Sequence, residues 1–524
     1  MTTEQQKIRR RNPLNSSKPY NDNTQAIPEI TKPAPAVIAA GDQQSTKGSR
    51  IFVFSLCLIF RLVNAYFTRT FDNPDEYWQS QEVAHNMLLA WLQLDETRLL
   101  ILAPKLFQAS MAAVIDYATY SLGKRVMGNT IAPYLLFITL CSWYNFFIAA
   151  RTLSNTVETM FTVIALNYWP STVTNFSDNS WIKNYRISLL WASLACVMRP
   201  TNALIWIFTG LQLAVRSSGR RISVLLNAAI IVAIILAANI ALDTFIYSKE
   251  FNVEKLVLTP INFFKINVLQ SISLIYGVHP WHWYISQGVP VILTTMLPFA
   301  LYGYRCTPNK AKDARSLGHL IIWLLGVYSL LSHKEFRFIF PVVPLMLIFV
   351  ANGLSNIPTR WRKLSAIALM ITQVPMALYL SLWHQRGVTD VMLWIRDQAN
   401  NSSVHSVGVL MPCHSTPWQS VVHRSDVDMW FLTCEPPLHS NEEDYIDEAD
   451  RFYANPVLFL EKEIGQPERP WPTHLVLFEN LLKIDDAKIK ETFTESGYRE
   501  CARFFNSHFH DDWRRRGDVL VYCR

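Results

Sequence analysis

The chain carries more apolar runs of helical length than the core of a water-soluble domain can use. Runs at 51–67, 99–120, 131–150, 186–210, 222–242, 287–303, 317–331, 337–353 and 364–383 reach or approach the length of a helix that crosses a bilayer. A weaker run lies at 153–169, and 257–275 reads as a segment that lies on or re-enters the membrane. Half of the 524 residues are apolar and only 17% are charged, yet mean hydropathy is only +0.12 because polar ends dilute the hydrophobic middle. The sequence predicts a polytopic α-helical membrane protein with an odd number of spans, about nine to eleven.

The net charge of +7 is not the signature of a nucleic-acid partner, because the basic residues sit in small clusters between the runs. These are Lys124 with Arg125, Arg216 with Arg220 and Arg221, Arg305 to Arg315, and Arg360 to Lys363, besides the basic N-terminal segment. The excess of Lys and Arg in cytosolic loops puts them in the cytosol, with the turn at Asp75 and Glu76 across the membrane. Everything after about Leu382 then lies in the lumen. One conflict remains in the middle. If 131–150 and 153–169 both cross, 186–210 starts on the wrong side for its basic exit.

Three regions follow. Residues 1–50 lack apolar periodicity and read as a disordered cytosolic tail with no cleavable signal peptide. Residues 51–383 form the membrane domain, with a first luminal loop at about 68–98, and 384–524 a small luminal α/β domain. Strand-like runs occur at 407–410, 430–432 and 474–478. Four of eight cysteines, Cys413, Cys434, Cys501 and Cys523, fall in this last region, where an oxidising lumen permits two disulfides; Cys413 with Cys434 is the preferred pair. Sequons at Asn175, Asn400 and Asn401 are candidate glycosylation sites and tests of the topology. No closed set of metal ligands is visible, so no metal and no cofactor is expected.

Three polar constellations interrupt the apolar pattern. The first is the turn Asp72-Asn73-Pro74-Asp75-Glu76, continued by Trp78, Gln79, Glu82 and His85. Two adjacent carboxylates at a membrane exit are costly unless solvated or used. A helix starting after Pro74 puts Gln79 and Glu82 on one face, with Trp78 four residues before Glu82. The second is Tyr276-Gly277-Val278-His279-Pro280-Trp281-His282-Trp283-Tyr284, either an interfacial aromatic belt or a surface for a sugar or phosphate. The third is Ser332-His333-Lys334-Glu335-Phe336-Arg337, wedged between two apolar runs. It is either a charged hairpin tip or an anion site, with Lys334 and Arg337 holding a phosphate and Glu335 orienting one of them. Asp116 and Arg199 each stand inside an apolar run, as helpers of the reaction or as partners in a structural pair.

A carboxylate near a cationic clamp at a luminal membrane face suits an enzyme that uses a lipid-phosphate group donor. A transporter lined by Asp116 and Arg199 is the alternative, but there is no inverted repeat. A non-catalytic scaffold would leave the intramembrane charges unexplained.

These motifs resemble those of the endoplasmic-reticulum mannosyltransferases that use dolichyl-phosphate mannose, glycosyltransferase family 22. The resemblance rests on Asn73-Pro74-Asp75-Glu76 with Trp78 and Gln79, on Glu82, Ala84 and His85, on Ala103-Pro104-Lys105 and on Arg199-Pro200-Thr201. It extends through Tyr276 to Tyr284 and His333 to Phe338. The segments at 279–284, 411–417 and 432–437 narrow it to the subfamily acting on the glycosylphosphatidylinositol (GPI) precursor at its third mannose. The resemblance implies a GT-C fold in the endoplasmic-reticulum membrane and a luminal site. It also implies inverting α-1,2 transfer from dolichyl-phosphate mannose to the two-mannose GPI lipid; another GPI intermediate or a lipid-linked oligosaccharide is the alternative acceptor. Asp75, or else Glu76, would be the base, and His333, Lys334 and Arg337 would stabilise the leaving phosphate. His279, Trp281 and His282 would shape a substrate pocket. One departure stands out: after His85 the chain runs straight into Leu88 to Leu92, where the family carries a longer luminal stretch.

Overall fold

Long apolar runs form helices; 131–150 breaks at a capping serine and 186–210 at Arg199-Pro200, whereas Pro104 and Pro375 sit inside continuous helices. A computed structural model describes residues 40–85, 97–248, 256–266, 277–435 and 446–524. The first helix, Ala40–Phe67, begins before the predicted span, so the last residues of the expected disordered tail are helical; residues 1–39 lie outside the described ones. Thr97–Met127, Ser154–Tyr168, Arg221–Ser248 and Thr359–Leu382 follow the predicted runs. The run 131–150 bends by 60° at Ser142, whose hydroxyl accepts from the amide of Asn145 and starts a new helix.

The run 186–210 is two helices, Ser180–Met198 and Ala203–Arg216. Arg199 precedes a proline and is extended, at φ −147° and ψ 111°, as the steric demand of the following ring requires. That break replaces the single predicted run with two shorter helices. Among the described residues, five helices are each long and apolar enough to cross a membrane, and the bent pair makes a sixth; the shorter helices pack among them.

Contacts between loops sort the two ends of the bundle. The Arg125 guanidinium donates to the carbonyls of Leu166 and Trp169 at 2.7 and 3.1 Å, and Arg220 donates to the carbonyl of Ser177 at 3.2 Å. Asn175 is therefore at the end that gathers the basic loops, away from the Asp75 turn. Its side chain accepts from the Ser177 amide and hydroxyl in a local turn beside Arg220. Asn400 and Asn401 are exposed at the end of the helix Gly387–Asn400, in the sheet domain.

Burial divides the long helices. The span Phe336–Asn356 is 89% buried and forms the centre of the bundle, whereas Ser218–Tyr247 is 6% buried and presents apolar side chains outward. Backbones touch where Gly303 meets the central helix: a Cβ there would sit 1.9 Å from the carbonyl oxygen of Phe349.

The C-terminal region is a five-stranded sheet of order β2-β1-β3-β5-β4, comprising β1 (Ser406–Leu410), β2 (Asp428–Phe431), β3 (His474–Phe478), β4 (Arg499–Ser507) and β5 (Gly517–Cys523). β1 runs parallel to β2 and β3, and β5 antiparallel to β3 and β4. Alternation buries both faces. Val476, Phe478, Val519 and Val521 face the helix Gly387–Asn400, whereas Leu475, Leu477, Leu520 and Tyr522 face Phe452, Phe459 and Phe493. Phe71 and Tyr77 of the acidic turn belong to the first of these cores, so the turn is built into the sheet domain.

Candidate functional site

The acidic turn is held by its own sequence. The Asn73 side chain accepts from the Asp75 amide at 3.0 Å, Pro74 opens a short 3-10 turn, and a wide π-type turn carries the chain through Tyr77 to Gln81. The two carboxylates then diverge. Glu76 is buried and receives Arg151 at 2.8 Å, while that guanidinium also donates to the carbonyl and hydroxyl of Thr70. Asp75 stays partly exposed, with Oδ2 2.5 Å from Nη1 of Arg337 and no hydrogen bond to Oδ1 among the described residues.

Arg337 ties Asp75 to the third constellation. Its Nε and Nη2 reach both oxygens of Glu335 at 2.5 and 3.0 Å, a bidentate fork. Glu335 also meets His333 Nε2 at 3.0 Å, and Nδ1 of that ring faces the carbonyl of Gly277 at 3.0 Å. Both ring nitrogens face acceptors, which calls for imidazolium, and the contact with Glu335 raises the proton affinity of His333. Glu335 is half-buried; desolvation works against its charge, but the cations beside it hold its carboxyl down at about 2. Asp72, one turn before Asp75, lies near Arg151 and Arg337; burial pushes its carboxyl up to about 6.

Several predicted site residues have other work. Lys334 is buried and donates to the carbonyls of His279, at 3.0 Å, and Leu331, so in this conformation it fixes two loops rather than offering itself to a phosphate. Glu82 turns away from Asp75, accepting from the amides of Trp418 and Ser420, both at 2.9 Å, and from the Ser420 hydroxyl. It is a docking group for the sheet domain. Asp116 receives Arg61 at 2.6 and 2.8 Å in a fully buried pair, and Arg199 lies 3.4 Å from Glu158. Each intramembrane charge thus has a partner from another helix, and neither reaches Asp75. Gln79 is exposed. His279 stacks on Trp283, 4.7 Å between ring centres, whereas Trp281 and His282 are exposed at the rim. Residues 86–96, where the first luminal loop departs from the family pattern, lie outside the described residues, as does Tyr276.

The sheet domain supplies a wall that sequence reasoning did not place. Trp78 donates from Nε1 to the carbonyl of Thr416 at 2.9 Å and packs its ring against His414, Trp418 and Phe431. Cys413 and Cys434 are bonded, joining the loop that carries His414 to the one that follows β2; Cys501 and Cys523 form a second disulfide. Two clusters bring a histidine to these sulfurs, but disulfide sulfur is not the thiolate that binds a metal. Arg151, the lock on Glu76, was also missed; its only sequence signal is an arginine between two apolar runs.

The site can take a proton at Asp75 and stabilise negative charge at Arg337 and His333. Residues 52–91 and 87–423 match the model of the Alg9-like mannosyltransferase family. Among curated relatives, the mannosyltransferase APTG1 of Arabidopsis thaliana is 35% identical over 93% of this chain and 95% of its own length. GPI mannosyltransferase 3 of Yarrowia lipolytica is 36% identical over 91% and 98%, and the human GPI alpha-1,2-mannosyltransferase 3 is 36% identical over 91% and 88%. Among solved structures, ArnT from Cupriavidus metallidurans, in the apo state and bound to undecaprenyl phosphate, superimposes with a TM-score of 0.54 at 12% identity. That likeness covers 91% of this chain and 98% of ArnT and shows the GT-C-type fold.

Proposed function

The chain belongs to the Alg9-like mannosyltransferase family, and we propose that it adds the third, α-1,2-linked mannose to the two-mannose GPI precursor. Family membership makes it a glycosyltransferase; the named relatives support GPI biosynthesis as its setting. The donor in this reading is dolichyl-phosphate mannose, and the reaction takes place on the luminal side of the endoplasmic-reticulum membrane. The two disulfides support an oxidising compartment for the sheet domain, and the basic loops at the other end support a cytosolic face there.

The observation that carries the chemistry is the contrast within one dipeptide: Glu76 is closed by Arg151, while Asp75 keeps one oxygen open. The acceptor 2-hydroxyl attacks the anomeric carbon with inversion and forms the new glycosidic bond. Its proton passes to Oδ1 of Asp75, and the bond from the anomeric carbon to the phosphate oxygen breaks, leaving its electron pair on dolichyl phosphate. Arg337 holds Asp75 in place, and with His333 it lies where charge develops on the phosphate. These cations make a metal unnecessary in this scheme.

The test is mannose transfer in microsomes lacking the endogenous third-mannose activity, supplied with dolichyl-phosphate mannose and the two-mannose acceptor. An α-1,2-linked three-mannose product is expected. Transfer only to another GPI intermediate or to a lipid-linked oligosaccharide would replace the proposed acceptor.

A further inference from the structure

Three consecutive arginines, Arg514 to Arg516, stand where the chain enters β5, and the structure uses them differently. Arg514 is clamped by both oxygens of Asp512, at 3.0 to 3.1 Å, and by Asp450 at 2.6 Å. Arg516 donates through Nε to the carbonyl of His510 at 2.7 Å. Arg515 has no such anchor. Its Nε is buried without a hydrogen-bond partner, and the Asp512 oxygen 3.7 Å away already accepts from Arg514. The side chain is about a fifth exposed, but its Nε is out of water with its proton unused, and a buried donor left unpaired calls for an acceptor.

Its position gives that acceptor a place. β1 pairs with β2 on one side and β3 on the other, so the strand order reverses at β1, and ligands of open α/β sheets settle outside the carboxyl ends at such a point. The segment holding Arg515 enters β5 at that edge, since Val519 pairs with Phe478 at the end of β3. The loop leaving β1 carries His414, held at φ +54° between Cys413 and the ring of Trp78, whose centre is 4.5 Å away. His510 accepts from the Asp512 amide at Nδ1, which puts its own proton on Nε2 as a donor. Burial first, and the Arg515 charge after it, lower the proton affinity of both imidazoles, and His414 also feels Asp75, so the cluster adjoins the catalytic turn.

We propose that the crevice at the carboxyl edge of β1 and β3, lined by Arg515, His510 and His414, is a phosphate subsite for a phosphodiester carried by one of the lipid-linked substrates. Arg515 would give the phosphate its guanidinium fork and His510 a neutral N–H donor. The proposal rests on the functional reading above, in which the donor and the GPI acceptor both bear phosphate. It deepens that reading by giving the sheet domain a part in substrate recognition.

The test measures binding apart from turnover. The purified full-length protein and its Arg515→Gln and Arg515→Lys variants are titrated with dolichyl-phosphate mannose and, separately, with the two-mannose GPI lipid, following thermal unfolding. Arg499→Gln, an exposed change of equal charge, is the control. Arg515→Gln should raise the half-saturating concentration of one ligand by roughly ten- to a hundredfold, the worth of a charged hydrogen bond, with Arg515→Lys between it and the wild type. The affected ligand identifies whether the phosphate belongs to donor or acceptor. Unchanged saturation by both ligands contradicts the subsite; if the Gln variant does not fold, the Lys variant decides by the same criterion. A protein that binds by way of Arg515 but transfers no mannose would sink the functional reading and leave the subsite standing.

Discussion

Two arginine–carboxylate pairs, built from the same side chains, have opposite fates in this molecule. In the bundle, Arg61 meets both oxygens of Asp116 at 2.6 and 2.8 Å, and Asn145 donates to the same carboxylate at 3.2 Å. Both side chains of that pair are fully buried, and Arg61 also donates to the carbonyl of Asn145. At the edge of the bundle, Arg337 touches Asp75 through one oxygen only, with the carboxylate a quarter exposed and the rest of the fork turned to Glu335. The first pair is saturated and can only hold helices together. The second is incomplete, and its spare oxygen makes it useful for chemistry.

Breaking the closed pair should have the largest effect on stability. Arg61→Met leaves Asp116 buried and uncompensated, a loss of about 3–5 kcal/mol. Thermal unfolding in detergent should show this, and Arg61→Met with Asp116→Leu should recover most of it. Activity per folded molecule should change little, in contrast to any change at Asp75. A large activity loss in a stable double variant would mean that the closed pair does more than brace helices.

The wall beside the open pair comes next. Cys413→Ser frees the loop bearing His414 and should cost about 2–4 kcal/mol of stability. It should also loosen the wall against Trp78, raising KM more than it lowers kcat. Equal kinetics in the folded variant would remove the sheet domain from substrate contact at that point.

A smaller effect concerns pH. The folded state raises the proton affinity of His333, so its pair with Glu335 is complete below the ordinary histidine value of 6.5. That contribution is lost as pH rises through the higher folded value. Glu335, held at about 2, adds no acid limb above that pH. Transfer should therefore decline on the alkaline side, and His333→Asn should lower the plateau roughly tenfold and remove that decline. An unchanged alkaline limb in the variant would assign it to another group. Least perturbing are the sequons: Asn175→Gln should leave electrophoretic mobility unchanged, whereas changing Asn400 and Asn401 together to Gln should remove any glycan. A mobility shift from Asn175→Gln would reverse the assignment of the bundle ends.

The contrast between the pairs also marks what the sequence could tell. Apolar length disclosed the bundle, and alternation disclosed β1, β2 and β3, because one-dimensional patterns fix both. β4 and β5 were not picked out: β4 carries mostly polar and aromatic residues, exposed along much of its length. The acidic turn was recognisable, but Glu76 and Asp75 differ only through Arg151 and Arg337, distant in sequence and near in space. Glu82 shares a helix face with Gln79 by spacing, yet the loop after β1 claims its carboxylate. The helix break at Arg199 was not legible either, because the apolar run reads through it.

The most direct measurement of the account is the mannose-transfer rate of Asp75→Asn and Glu76→Gln beside the wild type, with unfolding temperature recorded for each. The account predicts that Asp75→Asn folds as the wild type and loses roughly 10²- to 10⁴-fold in rate. Glu76→Gln should instead unfold at a lower temperature, because Arg151 loses its buried partner, while the folded fraction still transfers mannose. Full activity in Asp75→Asn, or a stable and inactive Glu76→Gln, would contradict the assignment of the open carboxylate as the base.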